Sequence, residues 1–236
     1  MKNYLLVHGA WHGAWAWEET KRSLEARGHH VITIDLPGHG SDTTPISGVS
    51  FRGYVEAVKA RLSTASGRCI LVGHSLGGAV VSQAVEEMPN AVEAVVMVAG
   101  FVLRANESTL DVMKDDAASD FLTKLIFSSD QSSATVSAGT LSSHVYNGGT
   151  AEQIERAAPH LRPQATEPFF AHTTLGAGFS GLRRLYVECT DDRLLSLDMQ
   201  RKIQERCAVS RLATLASGHV PLITRPRELA DALASA

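Results

Sequence analysis

Short apolar runs alternate with amphipathic stretches at both ends of this chain. The runs predict six strands, at residues 4–7, 30–34, 69–72, 92–99, 185–189 and 212–215. The stretches between them predict helices at residues 15–27, 51–65, 76–88 and 197–206, and a last helix with Pro226 in its first turn. Strands that are apolar along their whole length are typical of a parallel sheet covered on both faces. We therefore predict an α/β fold, with a mostly parallel sheet of about six strands and helices on both faces.

The regular alternation stops between residues 104 and 176, where Ser, Thr, Ala and Asp are frequent. Thr150 and Gln153 have the spacing of a capping box, in which two side chains satisfy backbone amides at the start of a helix. A segment of this length between two core strands is too long for an ordinary loop. We predict a helical cap at residues 104–176, inserted after the fourth strand into one structural domain with a core of residues 1–103 and 177–236.

Composition and charge disfavour several functional classes. The net charge is −3 and no block of Lys and Arg stands out, which argues against a nucleic-acid partner. The longest apolar run, residues 94–103, is far shorter than the ~20 residues that span a bilayer, and we expect no membrane partner. The apolar run before His8, residues 4–7, is only four residues long, too short for a signal peptide. Cys69, Cys189 and Cys207 are widely spaced and form no CxxC pair, so we expect a cytoplasmic protein without a disulfide framework or a zinc site. The chemistry expected below implies no metal and no organic cofactor.

The most informative motif is Gly73-His74-Ser75-Leu76-Gly77, which lies between a predicted strand and a predicted helix. This GxSxG pattern resembles the nucleophile elbow of the α/β-hydrolase fold, where a sharp turn raises a serine above the carboxyl edge of the sheet. Bulky side chains at either glycine would collide with neighbouring backbone in such a turn. The start of the helix behind the serine also favours negative charge. We therefore predict Ser75 as the nucleophile.

A base and an acid are expected on the loops that follow the last two strands. His219 follows the last strand and precedes the final helix, so its loop returns to the sheet edge beside the nucleophile. A neutral imidazole there can take the serine proton and later return it to the leaving group. Asp191 and Asp192 follow the preceding strand, and one of them would orient His219. Position alone does not separate these two carboxylates.

An oxyanion hole is also expected beside the nucleophile. In this fold one backbone amide comes from the loop after an early strand, here residues 8–13, and the other from the residue after the nucleophile. We predict the amides of Ala10 and Leu76 as the two donors, with His8 bracing the loop through a hydrogen bond. Two amides directed at a tetrahedral oxyanion lower the reaction barrier by several kcal/mol.

Four motifs together resemble the plant methylesterase and hydroxynitrile lyase family and its bacterial carboxylesterase relatives. They are Leu6-Val7-His8-Gly9-Ala10-Trp11-His12-Gly13-Ala14-Trp15, Gly73-His74-Ser75-Leu76-Gly77-Gly78, Cys189-Thr190-Asp191-Asp192 and Gly218-His219-Val220-Pro221. The resemblance implies that Asp192 is the acid, because the family's acid lies eight residues before a glutamine and Gln200 has that spacing. It also implies an esterase rather than a lyase, because the lyases have threonine and lysine where this chain has Gly9 and Val220.

The expected reaction is the hydrolysis of small, fairly apolar carboxylic esters by a Ser-His-Asp triad through an acyl-enzyme intermediate. The expected partner is a small-molecule ester, and the sequence also allows a homodimer. The residues predicted to line the substrate pocket are Trp11, Phe101, Leu103, Phe121, Leu125, Tyr146 and Val220.

Two other functions would use the same residues. The first is a triad-dependent lyase or an enzyme that cleaves C–C bonds. Basic residues that hold a polyanionic substrate would support it, but Arg156 and Arg162 are the only cap arginines near the expected pocket. The second is a ligand receptor with slow turnover, which an intact triad does not exclude.

Overall fold

The computed structural model describes residues 1–236, the whole of the given sequence. Strands and helices alternate in the first part of the chain. They are β1 (Asn3–Val7), α1 (Glu18–Glu25), β2 (His30–Ile34), α2 (Phe51–Ser63), β3 (Cys69–His74), α3 (Leu76–Glu87) and β4 (Val92–Val98). Most of these elements end within two residues of the predicted positions. The exception is the helix predicted at residues 15–27, which is divided into a 3-10 turn at Ala14–Trp17 and the shorter α1.

The middle of the chain contains both helices and short strands. They are α4 (Thr109–Asp115), β5 (Leu125–Phe127), β6 (Ser133–Val136), α5 (Ala138–Thr140), α6 (Ala151–Ala157), β7 (Gln164–Ala165), α7 (Glu167–Phe170) and α8 (Ala177–Ser180). The predicted capping box of Thr150 and Gln153 is confirmed at the start of α6. The segment has more helix than strand, and the prediction of a helical cap missed the three-stranded antiparallel sheet formed by β5, β6 and β7. Strands of two to four residues are too short to produce a recognisable alternating pattern.

The chain closes with elements that complete the main sheet. They are β8 (Arg183–Cys189), α9 (Leu197–Arg206), β9 (Ser210–Leu215), α10 (Pro221–Thr224) and α11 (Pro226–Ala234). Six strands form one sheet in the order β2-β1-β3-β4-β8-β9, and all neighbours are parallel. The predicted α/β fold with a parallel sheet of six strands is thereby confirmed. Because the strands are parallel, their carboxyl ends share one edge, and the loops after β1, β3, β8 and β9 meet there.

One hydrophobic cluster extends from the sheet into the middle segment. It includes the interior of β3 and β4 together with Phe121, Val145 and Phe169 of residues 104–176. The middle segment therefore packs directly on the core at the edge where the loops meet. No helix has the length and apolar composition that crossing a membrane requires.

Candidate active site

Ser75 lies in a strained turn between β3 and α3. Its φ of 53° and ψ of −125° place a non-glycine residue in a sparsely populated region of backbone conformation. The Ser75 amide donates to the Val98 carbonyl at 3.2 Å. The Ser75 carbonyl accepts hydrogen bonds from the amides of Gly78 at 2.8 Å and Phe101 at 3.0 Å. The surrounding backbone therefore holds the turn in this conformation.

The glycines beside Ser75 permit close packing of backbone on backbone. A Cβ atom at Gly77 would lie 2.5 Å from the carbonyl oxygen of His8, and one at Gly73 would overlap the carbonyl of Gly77. Both separations are far shorter than a van der Waals contact. The collision expected at these two positions is therefore confirmed, and it explains why the motif needs glycine there.

The side chains of Ser75, His219 and Asp192 form a hydrogen-bonded chain. His219 Nε2 lies 2.9 Å from Ser75 Oγ, and His219 Nδ1 lies 2.7 Å from Asp192 Oδ2. All three residues are buried. Since a carboxylate only accepts hydrogen bonds, the proton of the neutral imidazole belongs on Nδ1. This leaves the Nε2 lone pair directed at the serine hydroxyl, the arrangement in which it can act as a base.

The two neighbouring aspartates have different surroundings. Asp192 Oδ1 accepts hydrogen bonds from the amides of Leu194 and Leu195, both at 2.8 Å. Its Oδ2 also accepts from Gln200 Nε2 at 3.2 Å, which gives a structural reason for the glutamine spacing. Asp191 is exposed, and its carboxylate takes part in no hydrogen bond. Asp192 is therefore the carboxylate that the fold directs at the imidazole.

Two backbone amides near Ser75 are available for an oxyanion. The loop after β1 lies against the elbow, since a Cβ atom at Gly9 would be 2.8 Å from Ser75 Cβ. The amide of Ala10 has no hydrogen-bond partner within the protein. The amide of Leu76 is the first of α3, and the first amides of a helix lack an intrahelical partner. Both predicted donors are thus positioned close to the nucleophile.

Four more buried histidines surround this constellation: His8, His12, His39 and His74. Burial lowers the pKa of His8 to about 3 and the pKa values of His12 and His39 to about 4. Burial also holds the pKa of His74 well below its usual value. The ring centroids of His74 and His219 are 5.0 Å apart. These four rings are therefore neutral near pH 7. No group of three or more His, Cys, Asp or Glu side chains in the chain is arranged to hold a metal ion.

We expect the stability of the protein to fall steeply below about pH 6.5. Between that value and the depressed native pKa values of these histidines, the unfolded state binds more protons than the native state. The free energy of unfolding therefore decreases as the pH falls, by about 1.4 kcal/mol per pH unit for each buried histidine. Urea unfolding curves between about pH 7.5 and about pH 5 measure this decline.

A variant tests whether the buried histidines cause the decline. His39→Gln removes one of the four rings and should reduce the slope of stability against pH by about a quarter. A wild type with the same free energy of unfolding at every pH, or an unchanged slope in His39→Gln, would contradict this interpretation.

Most residues predicted to line the substrate pocket are buried beside the elbow or in the middle segment. Trp11, Phe101, Leu103, Phe121, Tyr146 and Val220 are buried, and Leu125 is half-buried on β5. The indole nitrogen of Trp11 donates to the Ala134 carbonyl at 2.9 Å, and its ring packs edge-on against Phe121 at 5.9 Å. Tyr146 forms a hydrogen bond with His12. The role of these residues in binding a substrate stays a prediction.

Sequence reasoning missed two features of the site. Phe169 joins the aromatic cluster of Trp11 and Phe121, with its ring 6.2 Å from Trp11. His12 and Tyr146 form a buried pair although they are far apart in the sequence. The only available signal for His12 was its place in the loop after β1, next to the predicted oxyanion donor.

Known proteins resemble this chain over almost its whole length. The model of the Alpha/beta hydrolase family matches residues 4–232. Methylesterase 9 of Arabidopsis thaliana is 27% identical over 248 aligned positions, which cover 99% of this chain and 97% of that protein. Norfluorocurarine synthase 1 of Strychnos nux-vomica is 29% identical over 249 positions, covering 98% and 94%. The crystal structure of a pyrethroid hydrolase from Sphingobium faniae JZ-2 has a TM-score of 0.83 and 25% identity, covering 99% and 96%. The chain thus belongs to the alpha/beta hydrolase family.

Proposed function

We propose that this protein is a serine carboxylesterase that hydrolyses small, fairly apolar carboxylic esters. The observation that carries the proposal is the hydrogen-bonded chain from Ser75 through His219 to Asp192. Its proton positions are those that nucleophilic catalysis by serine requires. The names of Methylesterase 9 and of the pyrethroid hydrolase support hydrolysis as the reaction.

The proposed reaction proceeds in two halves. Ser75 Oγ attacks the ester carbonyl carbon while His219 Nε2 takes the hydroxyl proton, and the amides of Ala10 and Leu76 stabilise the resulting oxyanion. His219 then gives the proton to the leaving alkoxide, the C–O bond to the alcohol breaks, and an acyl-enzyme remains. Water attacks the acyl carbon after giving a proton to His219, which returns that proton to Ser75 Oγ as the carboxylic acid leaves. Asp192 stabilises the imidazolium in both halves.

The surroundings of Ser75 support small and apolar substrates. Ser75 is only 5% exposed, so access to its hydroxyl is narrow. Trp11 lies in the oxyanion loop and packs against Phe121 of the middle segment, so the two rings provide apolar surface on that side. Val220, directly after the imidazole, is an uncharged buried residue. Apolar surface of this kind suits an acyl or alcohol group without charge.

A lyase reaction remains the rival, since one relative is named a synthase. The position of Gly9 argues against a hydroxynitrile lyase of the family that the sequence resembles. A Cβ atom at Gly9 would lie 2.8 Å from Ser75 Cβ and 2.9 Å from His74 Nδ1. The threonine of those lyases would therefore require a shift of the loop or of the elbow.

The proposal also covers the cellular location of the protein and its partners. We propose a cytoplasmic location, supported by three cysteines that are all free thiols. A small-molecule ester is the proposed partner, and a homodimer stays a prediction.

A panel of p-nitrophenyl esters from acetate to palmitate tests the proposed function. We expect rapid turnover of the shortest esters and a decline with chain length, because the surroundings of Ser75 are closely packed. The release of p-nitrophenolate measures the rate, and Ser75→Ala measured in parallel is the control. Turnover no faster than that of Ser75→Ala for every ester would contradict the proposal. Tight binding of such esters without turnover would then favour a receptor.

A further inference from the structure

Two successive carbonyl groups of the loop after β1 are held by histidine rings. Nδ1 of His8 donates to the carbonyl of Gly9 at 2.8 Å, and Nδ1 of His12 donates to the carbonyl of Ala10 at 2.7 Å. A carbonyl oxygen can only accept, so each ring must carry a proton on Nδ1. These two rings therefore bind the peptide groups on both sides of Ala10.

The other nitrogen of each ring accepts a hydrogen bond, which fixes the same tautomer. His8 Nε2 accepts from the amide of Leu36 at 3.0 Å. His12 Nε2 is 2.7 Å from the hydroxyl of Tyr146. Burial raises the pKa of Tyr146 above its usual value, so this hydroxyl keeps its proton and donates it. Burial also lowers the pKa of His12 to about 4, which keeps its ring neutral.

The geometry of a peptide group converts these contacts into an orientation for the Ala10 amide. The C=O and N–H of a trans peptide are coplanar and point in opposite directions. With the Gly9 carbonyl bound to His8, the Ala10 N–H must point away from that ring. With the Ala10 carbonyl bound to His12, the next peptide group is fixed as well. The Ala10 amide thus has little freedom to turn away from the nucleophile.

The partner of His12 belongs to the middle segment, outside the sheet. Tyr146 directly follows a turn of π-helix at Leu141–Val145 and is fully buried. Turns of π-helix are rare in proteins, and many of those that occur lie at functional sites. The same segment also binds Trp11, whose carbonyl accepts from the amide of Arg162 at 2.9 Å. The loop that carries Ala10 is consequently held from the middle segment as well as from the sheet.

We propose that Tyr146 and His12 are positioning residues that set the Ala10 amide as an oxyanion donor and link its geometry to the middle segment. The inference rests on the proposed esterase function and gives Tyr146 a different role from that of a pocket wall. The hydroxyl of Tyr146 holds the His12 ring through Nε2, and the His12 ring holds the peptide group after Ala10. With the peptide group before Ala10 held by His8, Ala10 cannot rotate its N–H away from the oxyanion. A substrate or variant that displaces Tyr146 will change the rate of the chemical step.

Three variants and a control separate this role from a general structural one. Tyr146→Phe should lower kcat for p-nitrophenyl acetate about 10-fold with KM within about twofold, because oxyanion donors act mainly in the transition state. His12→Leu should lower kcat about 100-fold, since nothing then donates to the Ala10 carbonyl. His12→Asn keeps an N–H donor and should resemble Tyr146→Phe. Tyr4→Phe, which removes an equally buried hydroxyl bound to the Leu233 carbonyl at 2.9 Å, should leave both constants unchanged.

The ring nitrogens of His12 provide a readout that does not depend on activity. In protein with 15N-labelled histidine, long-range 1H–15N spectra should show His12 protonated on Nδ1 in the wild type. In Tyr146→Phe the proton should stay on Nδ1, where the Ala10 carbonyl still accepts it, and the Nε2 resonance should shift because its hydrogen bond is lost. An unchanged kcat in Tyr146→Phe, or an unchanged Nε2 resonance of His12, would overturn the inference while the proposed function stands. If the wild type hydrolyses no ester faster than Ser75→Ala, the proposed function fails, and the Nε2 resonance still shows whether Tyr146 holds the ring of His12.

Discussion

Ser75→Ala is expected to lower kcat for p-nitrophenyl acetate by about 10⁵-fold and to fold like the wild type. The hydroxyl removed is the only group within hydrogen-bond distance of His219 Nε2. Without it no acyl-enzyme can form, and the oxyanion amides alone leave only a small residual rate. Folding should be retained because the elbow is held by backbone hydrogen bonds of Ser75 that alanine also makes.

Two comparisons make the Ser75→Ala result specific. Ser82→Ala removes another buried serine hydroxyl, in the helix α3 that follows Ser75, where it donates to the Gly78 carbonyl at 2.7 Å. This variant should keep its activity within a few-fold of the wild type. Ser75→Gly should be as inactive as Ser75→Ala but more stable in urea, because glycine adopts a φ of 53° without strain. Substantial activity in Ser75→Ala would mean that another group is the nucleophile.

Asp192→Asn is expected to lower kcat by about 10⁴-fold, whereas Asp191→Asn should change it by less than about threefold. An asparagine amide at position 192 would donate to His219 Nδ1 and so place the ring proton on Nε2. That proton would then face Ser75 Oγ, and the imidazole could no longer accept from the hydroxyl. Asp191 is exposed and has no contact with the imidazole, so the same substitution there changes only a surface charge.

The pair of asparagine variants is its own matched control, since the two positions are adjacent and the chemical change is the same. Rates over the range from about pH 6 to about pH 9 should show the deficit of Asp192→Asn at every pH, because the defect is a tautomer rather than a shifted titration. A larger loss in Asp191→Asn than in Asp192→Asn would mean that the acid has been assigned to the wrong residue.

The parallel core could be predicted from the sequence because its signals are local. The strand at His30–Ile34 and the helix at Leu197–Arg206 have the predicted bounds. The third strand is longer than predicted, because Gly73 and His74 still pair with β4 although neither residue favours a strand. Pairing with a neighbouring strand is a tertiary contact, and a residue pattern along one strand does not contain it.

The site shows the same division between local and distant information. The motif around Ser75 and the loop position of His219 were sufficient to place both residues. The choice of Asp192 required a family resemblance. The structure explains the family's spacing, because Gln200 in α9 donates a hydrogen bond to the Asp192 carboxylate. The pair of His12 and Tyr146 joins residues separated by 134 positions, and neither side chain carries a local signal for the other.

The order of strands in the sheet also bears on how this protein is made. β4 is almost entirely apolar and pairs on one side with β8, which begins only at Arg183. During synthesis, one edge of β4 therefore stays unpaired until the whole middle segment has left the ribosome. An exposed apolar strand edge is a template for aggregation, and contacts between distant parts of a chain form slowly. Chains truncated before Arg183 should accumulate as aggregates, and expression of the full chain should benefit from slow synthesis at low temperature and from chaperones that bind apolar strands.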